Sequence, residues 1–462
     1  MAYTTIDNPL QFFNTVLYTG TGSSTNVTGV GFNPDWVWIK CRSHGTTDHV
    51  LFDTVRGAGQ RIVSNSNGAE ETQTGIMSGF VTDGVTVGTG GASNGSSRTY
   101  AMWNWLAGGT APAITYSVKV VSDSGNKYRF DDFGTSAVTL DLQEGGTYTF
   151  DQSDSSNSGH PLRFSTTSDG THGGGSEYTT GVTTTGTPGS SGAKTVITVS
   201  ASAPTLYYYC SSHSGMGGQA NTNSTFGSSN FSGSIQTKVS ANTSSGFSIV
   251  SWTGTGSNTT IGHGIGSVPK FLVTKNRDSS TFGWYTYQAS LGNSKNLYFH
   301  STDSQVSGSS RWNDTTPTSS VFTVGTNSGT NGSSDDMIAY VFAEKKGFSK
   351  FGSYVGNGQS GINGTYVYTG FRPSWILLKN ATSTGNWQLI DDKRLGYNSE
   401  SRTFYINNQL EEQDETDADI FSNGFKLTSS GTDVNGTGDT YVYYAFAHSP
   451  FVNSNGVPTN AR

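Results

Sequence analysis

Three observations predict an all-β fold. The first is a short stretch that occurs three times, reading proline, any residue, an aromatic, three mostly apolar residues and a lysine. The copies are Pro34–Lys40, Pro269–Lys275 and Pro373–Lys379. The second is a fixed spacing downstream of each copy. An Asn-Gly pair stands 60 to 62 residues on, at Asn94, Asn331 and Asn435, with aromatics nine and eleven residues beyond it. Those aromatics are Trp103 and Trp105, Tyr340 and Phe342, Tyr444 and Phe446, an alternation that puts two large side chains on one face of a strand. The third is composition. The chain has 61 glycines and only 13% charged residues, yet 22 Tyr, 25 Phe and 9 Trp supply cores that a disordered Gly-rich chain lacks. Almost no amphipathic helical period interrupts the short runs.

Each element of the repeat has a physical reason. Proline cannot donate to a central ladder but is tolerated where a strand begins. The aromatic and branched residues after it read as a buried strand, and the lysine is expected to mark where that strand surfaces. The Asn-Gly pair reads as a turn signal before the returning strand. A Gly-x-Gly precedes each copy, at Gly20 and Gly22, Gly254 and Gly256, and Gly356 and Gly358. The period defines a β module of roughly 95–105 residues, the size of a small sandwich.

In chain order, residues 1–112 form a lead-in segment and the first module. Asn8–Phe13 is expected to dock on a neighbour or to start the first sheet. Asp53 and Arg56 recur as Asp391 and Arg394, within Asp391–Leu395, while the second module has no matching acid. This pair is read as structural, and a surface pair would contribute about 0–1 kcal/mol. Residues 113–222 break the period and contain their own alternating runs, such as Tyr116–Val121, Thr147–Phe150 and Thr205–Cys210. Residues 223–346 hold a Ser/Asn/Gly-rich linker, with a strand expected at Ser234–Val239, and the second module. Residues 347–462 hold the third module and a polar tail. The short join between modules two and three implies a stacked pair.

The insert carries the one constellation with recognisable chemistry. Cys210, His213 and Met216 are spaced C-x2-H-x2-M, and His160 lies fifty residues upstream. Two imidazoles and a thiolate in a trigonal plane with a long axial thioether make a type 1 copper site. On these residues the insert resembles the cupredoxin family. That resemblance implies a Greek-key β-sandwich with His160, Cys210, His213 and Met216 in the ligand positions and copper as cofactor. Asp433–Asp439 has the oxygen-rich look of a calcium loop without its full spacing.

Taken together, the modules and the insert resemble structural proteins of tailed bacteriophages, notably marine ones. The resemblance is carried by Gly31–Lys40 and Gly370–Lys379, the Asp-x-x-Arg pair, Ser422–Phe425, the closing aromatic strand and the run Tyr208–Gly218. It implies a tail fibre or other virion appendage, with a role in host attachment. The alternatives are a capsid decoration or head-fibre protein, and a copper-binding cupredoxin-type protein carried on adhesion modules. The fold class is therefore all-β: three repeated, jelly-roll-like β-sandwich modules plus one cupredoxin-like sandwich.

The remaining expectations concern partners. A net charge of −7 without a basic cluster argues against nucleic acid. No apolar run reaches membrane-span length, and Met1–Asn14 lacks a signal peptide, so synthesis in a host cytoplasm and residence in the virion are expected. No Ser/His/Asp or paired-carboxylate set recurs, so no enzyme activity is expected. Expected partners are further copies of the chain, a trimer being the usual closure for fibres, other virion proteins, and a host surface glycan or receptor.

Overall fold

The computed structural model describes residues 3–223, 225–394, 398 and 402–459. Leu395, at the end of the second Asp-x-x-Arg segment, lies outside them. The chain is nearly all β, and its strands build three large sheets with the same core order. In the first sheet that order is Phe13–Thr19, Thr99–Trp105, Trp36–Cys41, Val50–Asp53, Gln60–Val63 and Glu71–Thr72. The second sheet repeats it from Phe247–Thr253 to Val306–Ser307 and adds Ser228–Asn230 and Thr237–Asn242 at one edge. The third repeats it from Ser349–Val355 to Gln413–Asp414. Each large sheet faces a small one, and apolar side chains fill the space between.

The repeated stretch is the central strand of each sheet, paired with the aromatic strand at equivalent positions. Trp36 lies opposite Trp105, Phe271 opposite Phe342, and Trp375 opposite Phe446. Pro373 falls inside its strand, at a register shift that accommodates its missing N–H. The alternate residues pack outward against the small sheets. The aromatics point the other way, into one core shared by all three large sheets. Trp36 stacks on Tyr340 at 4.3 Å, Phe271 meets Tyr444 at 4.3 Å, and Trp105 meets Trp375 at 5.7 Å. The three sheets thus close around a common axis within one chain.

Polar bonds tie the sheets together around that axis. Trp284 of the second sheet donates to the Val63 carbonyl of the first at 2.7 Å, and Trp387 of the third to Tyr298 of the second at 2.9 Å. His49 holds the corresponding position in the first sheet and packs on Phe404 of the third. The repeated lysines follow the same circuit and do not surface. Lys40, Lys275 and Lys379 are fully buried, and burial pulls each down to about 8. Their ammonium groups donate to Gln409, Asn67 and Thr302 carbonyls respectively, each in the neighbouring module. A buried ammonium needs several acceptors, and the neighbouring loop supplies some of them.

The Asp-x-x-Arg pairs are likewise buried, not superficial. Arg56 meets Asp53 at 2.5 Å and Arg394 meets Asp391 at 2.6 Å, all four side chains sealed from solvent. Each aspartate also accepts from the neighbouring module: Asp53 from the Tyr340 hydroxyl at 2.7 Å, Asp391 from the Trp103 indole at 2.9 Å. The third interface lacks the acid. Gln288 stands in its place opposite Phe271, and the Tyr444 hydroxyl has no partner among the described residues. Tyr340→Phe is therefore expected to cost about 1–3 kcal/mol and Tyr444→Phe close to nothing, as read from chemical denaturation. Equal costs would contradict this asymmetry.

The Asn-Gly pair has a different job from a hairpin turn. Asn94, Asn331 and Asn435 are buried bolts that hold the Gly-x-Gly loop. Asn94 accepts from the Thr21 N–H and donates to the Ser23 and Gly88 carbonyls. Asn331 and Asn435 make the matching bonds to Thr255 and Ser257, and to Asn357 and Gln359. A Cβ on Gly20, Gly254 or Gly356 would stand 2.0–2.3 Å from the carbonyl oxygen of the glycine after the asparagine, which is why the loop needs glycine there.

The insert is a separate sandwich. Its sheets run Asn126–Phe130, Ala113–Ser122, Thr147–Asp151, Lys194–Thr198, Val182–Thr185 and Leu140–Gln143, Gly218–Asn223, Leu206–Cys210, Leu162–Ser165. The polar run after it is not a plain linker. Gly218–Asn223 is the insert's last strand, and Phe231 plugs the insert core. The strand expected at Ser234–Val239 lies at Thr237–Asn242 and extends the second large sheet. The lead-in segment both docks and starts a sheet. Tyr3 donates to the Gly370 carbonyl at 2.6 Å, and Phe13 opens the first strand against Trp105 and Phe446.

Candidate metal centre

Two strands of the insert's smaller sheet and the loop after one of them bring the site together. Leu162–Ser165 pairs antiparallel with Leu206–Cys210, setting Leu162 opposite Cys210. His160 stands just before the first of these strands, and Cys210 ends the second. The Ser211 N–H donates to the Pro161 carbonyl at 3.1 Å and ties the two ligand-bearing ends together. His213 and Met216 lie in the loop that returns as Gly218–Asn223.

The donor atoms converge. Cys210 Sγ lies 3.8 Å from Nδ1 of His160 and 3.8 Å from Nδ1 of His213. One donor atom from each of these three residues lies within 4.8 Å of the others. Metal–sulfur and metal–nitrogen lengths of about 2.3 and about 2.05 Å, as at zinc, set at a trigonal angle, place S and N about 3.8 Å apart. The spacing fits a trigonal His2Cys plane. Met216 is buried in the same core cluster as Cys210. The residues present therefore fit a copper centre by donor type and by spacing. Among the described residues no other group gathers three His, Cys, Asp or Glu donors so closely.

The surroundings hold these ligands in place. The His160 carbonyl accepts from the Tyr128 hydroxyl at 2.9 Å and from Gln152 Nε2 at 2.8 Å. The Tyr128 N–H donates to the Met216 carbonyl at 3.0 Å, Lys127 Nζ donates to the Gly215 carbonyl, and the Gly215 N–H donates to Asp169 at 2.8 Å. His172 Nε2 lies 3.0 Å from the Cys210 carbonyl. Burial first, and then the neighbouring His213, hold His160 below its usual pKa, which favours the neutral imidazole a metal requires. Cys210 is buried, His160 half-buried and His213 exposed, so the site opens at one edge. The supporting residues Tyr128, Gln152, Asp169 and His172 carry no spacing signal, because only the sandwich brings them near the ligands.

The carboxylates of Asp433 and Asp439 are engaged with neighbouring loops. The Asp433 carboxylate accepts from the Asn386 N–H and Nδ2, and Asp439 accepts from Asn380 and Ser383. These carboxylates staple neighbouring loops.

Fold and site define a multi-module β scaffold with a separate sandwich bearing a His2Cys cluster. The chain belongs to the family described as "Domain of unknown function (DUF7483)", which matches residues 8–131 and 219–450. The match passes over residues 132–218, and with them all four candidate ligands. No curated protein and no solved structure matches the chain. No helix among the described residues is long and apolar enough to cross a membrane.

Proposed function

We propose that this protein is a structural component of a phage virion, a tail-fibre or appendage protein with a role in host attachment, and that its insert binds copper. The architectural half is carried by the shared aromatic core. Three sheets buried on both faces and stapled by inter-module lysines make a stiff body suited to bearing load rather than to opening around a substrate. The virion half rests on the resemblance carried by Gly31–Lys40, Gly370–Lys379 and Tyr208–Gly218. When bound, copper would supply one-electron exchange. His160, Cys210, His213 and Met216 are the residues that would hold it.

The direct test is antibody labelling of purified particles. Label on the tail supports the appendage reading, label on the head supports the decoration reading, and particles free of the protein overturn both. Native mass spectrometry with and without copper reads assembly and metal together. A homotrimer is the expected assembly of a fibre. A second reading, a copper protein carried on adhesion modules, is favoured by the preorganised His2Cys cluster. A monomer holding one copper per chain would put it ahead.

A further inference from the structure

We infer that the third module carries a binding site for a guanidinium cation, in an acidic pocket formed around Gln388, Asp417 and Asp433. The pocket has a volume of about 480 Å³, and among the described residues its wall includes Tyr405 and Glu415 and no lysine or arginine.

The repeat itself singles the pocket out. Gln388 pairs with Leu378, the residue before the repeated lysine. The counterpart in the first module is Val50, opposite Ile39, and in the second Tyr285, opposite Thr274. Asp417 directly precedes the strand whose first residue, Ala418, pairs with Leu427. Ile76 holds that place in the first module, before Met77 paired with Val87. Asp433 stands two residues before Asn435, where the first module has Ala92 and the second Gly329. In the first module Val50, Ile76 and Ala92 pack into the outer apolar core. In the second the Tyr285 ring fills the space, since a Cβ on Gly329 would stand 2.1 Å from it. The third module alone replaces this apolar filling with an amide and two carboxylates around open volume.

A buried amide points to a ligand. Gln388 is 2% exposed, lines the pocket, and its Oε1 has no hydrogen-bond partner among the described residues. An unmet buried acceptor of this kind costs stability unless a donor reaches it. The acids are already positioned: Thr403 donates to Asp417 at 3.2 Å, Tyr405 to Glu415 at 2.5 Å, and Asn386 to Asp433 at 3.1 Å. Burial, with Glu415 adding repulsion, lifts Asp417 to about 7, a cost that an incoming cation relieves.

The mixture of an amide oxygen and carboxylates chooses the cation. Among the described residues, no three acids here place one oxygen each within 4.8 Å of one another, the spacing of a compact metal site. A planar guanidinium carries five N–H donors in a fixed fork, so it can offer hydrogen bonds to an amide oxygen and to carboxylates together.

Agmatine is the probe, titrated calorimetrically into the full chain with sodium chloride and calcium chloride as comparators. Saturable binding at one site per chain is expected, weakened about tenfold or more by Asp417→Asn and by Gln388→Leu. Asp417→Asn removes a buried charge at constant shape, so a thermal melt of the unliganded variant at or above wild type verifies its fold. A Gly-Arg-Gly peptide that binds more tightly than agmatine assigns the site to a partner's arginine, and the reverse order to a free small guanidinium compound. Absence of saturation by agmatine, calcium binding in its place, or variants that bind undiminished would overturn the inference.

Discussion

Trp36→Ala is expected to destabilise the three-module body by about 3–5 kcal/mol, and Phe271→Ala and Trp375→Ala by similar amounts. Each ring is nearly sealed from solvent and sits in the shared core. Trp36 touches Tyr340 at 4.3 Å and Trp105 at 4.4 Å. Phe271 touches Tyr444 at 4.3 Å and Phe342 at 5.3 Å, while Trp375 meets Trp105 and Phe446 at 5.7 Å each. Every truncation therefore opens a cavity against a second module as well as its own. Such neighbours couple, so double variants should depart from additivity by about 0.5–3 kcal/mol. Urea unfolding monitored by tryptophan fluorescence and by far-ultraviolet circular dichroism checks both points. Coincident transitions are expected of the body. Costs below about 1 kcal/mol at all three positions, or a separate transition for each module, would break the shared-core account.

Cys210→Ser is expected to abolish copper binding while leaving the insert folded. The thiolate is the soft ligand that makes the set selective for copper, and a hydroxyl does not replace it. Cys210 is also a small buried member of the insert core, and serine differs little from it in size, so the unliganded melting temperature should move only slightly. Copper raises the stability of a protein that binds it in the native state by RT ln(1 + [L]/Kd), about 2.7 kcal/mol at a hundredfold excess over Kd. Differential scanning calorimetry should show that rise in the wild type and not in the variant. Undiminished Cu(II) binding by Cys210→Ser would remove the site as drawn. A preference for zinc over copper in the wild type would keep the cluster and change its chemistry.

Much of the fold is legible in the chain. The Pro-x-aromatic stretches, the spacing to Asn94, Asn331 and Asn435, and the alternating aromatics predict strands and a shared face for the paired rings, because side-chain alternation is a local property of a strand. The Cys210, His213 and Met216 spacing with His160 upstream is sufficient to nominate four candidate ligands. Lys40, Lys275 and Lys379 read wrongly as surface residues, since a charge after an apolar run ordinarily marks solvent and their carbonyl acceptors lie partly in another module. The pairing of Asp53 with Tyr340, and of Asp391 with Trp103, is hidden for the same reason. Gly218–Asn223 carries no strand signal of its own, because its polar residues form a strand only when Leu140–Gln143 and Leu206–Cys210 are already beside it.

The all-β class, the period of the repeat, the core aromatics and the residues able to ligate a metal are thus all written in local spacing. Folding in three dimensions settles the rest. It makes the three large sheets share one core, turns the lysines and ion pairs into staples between modules, and leaves open and acidic in the third module the space its relatives fill. The difference is one of range. Strand periodicity and motif spacing connect near neighbours in the chain, whereas a buried charge is explained by acceptors hundreds of residues away, which only folding brings into reach.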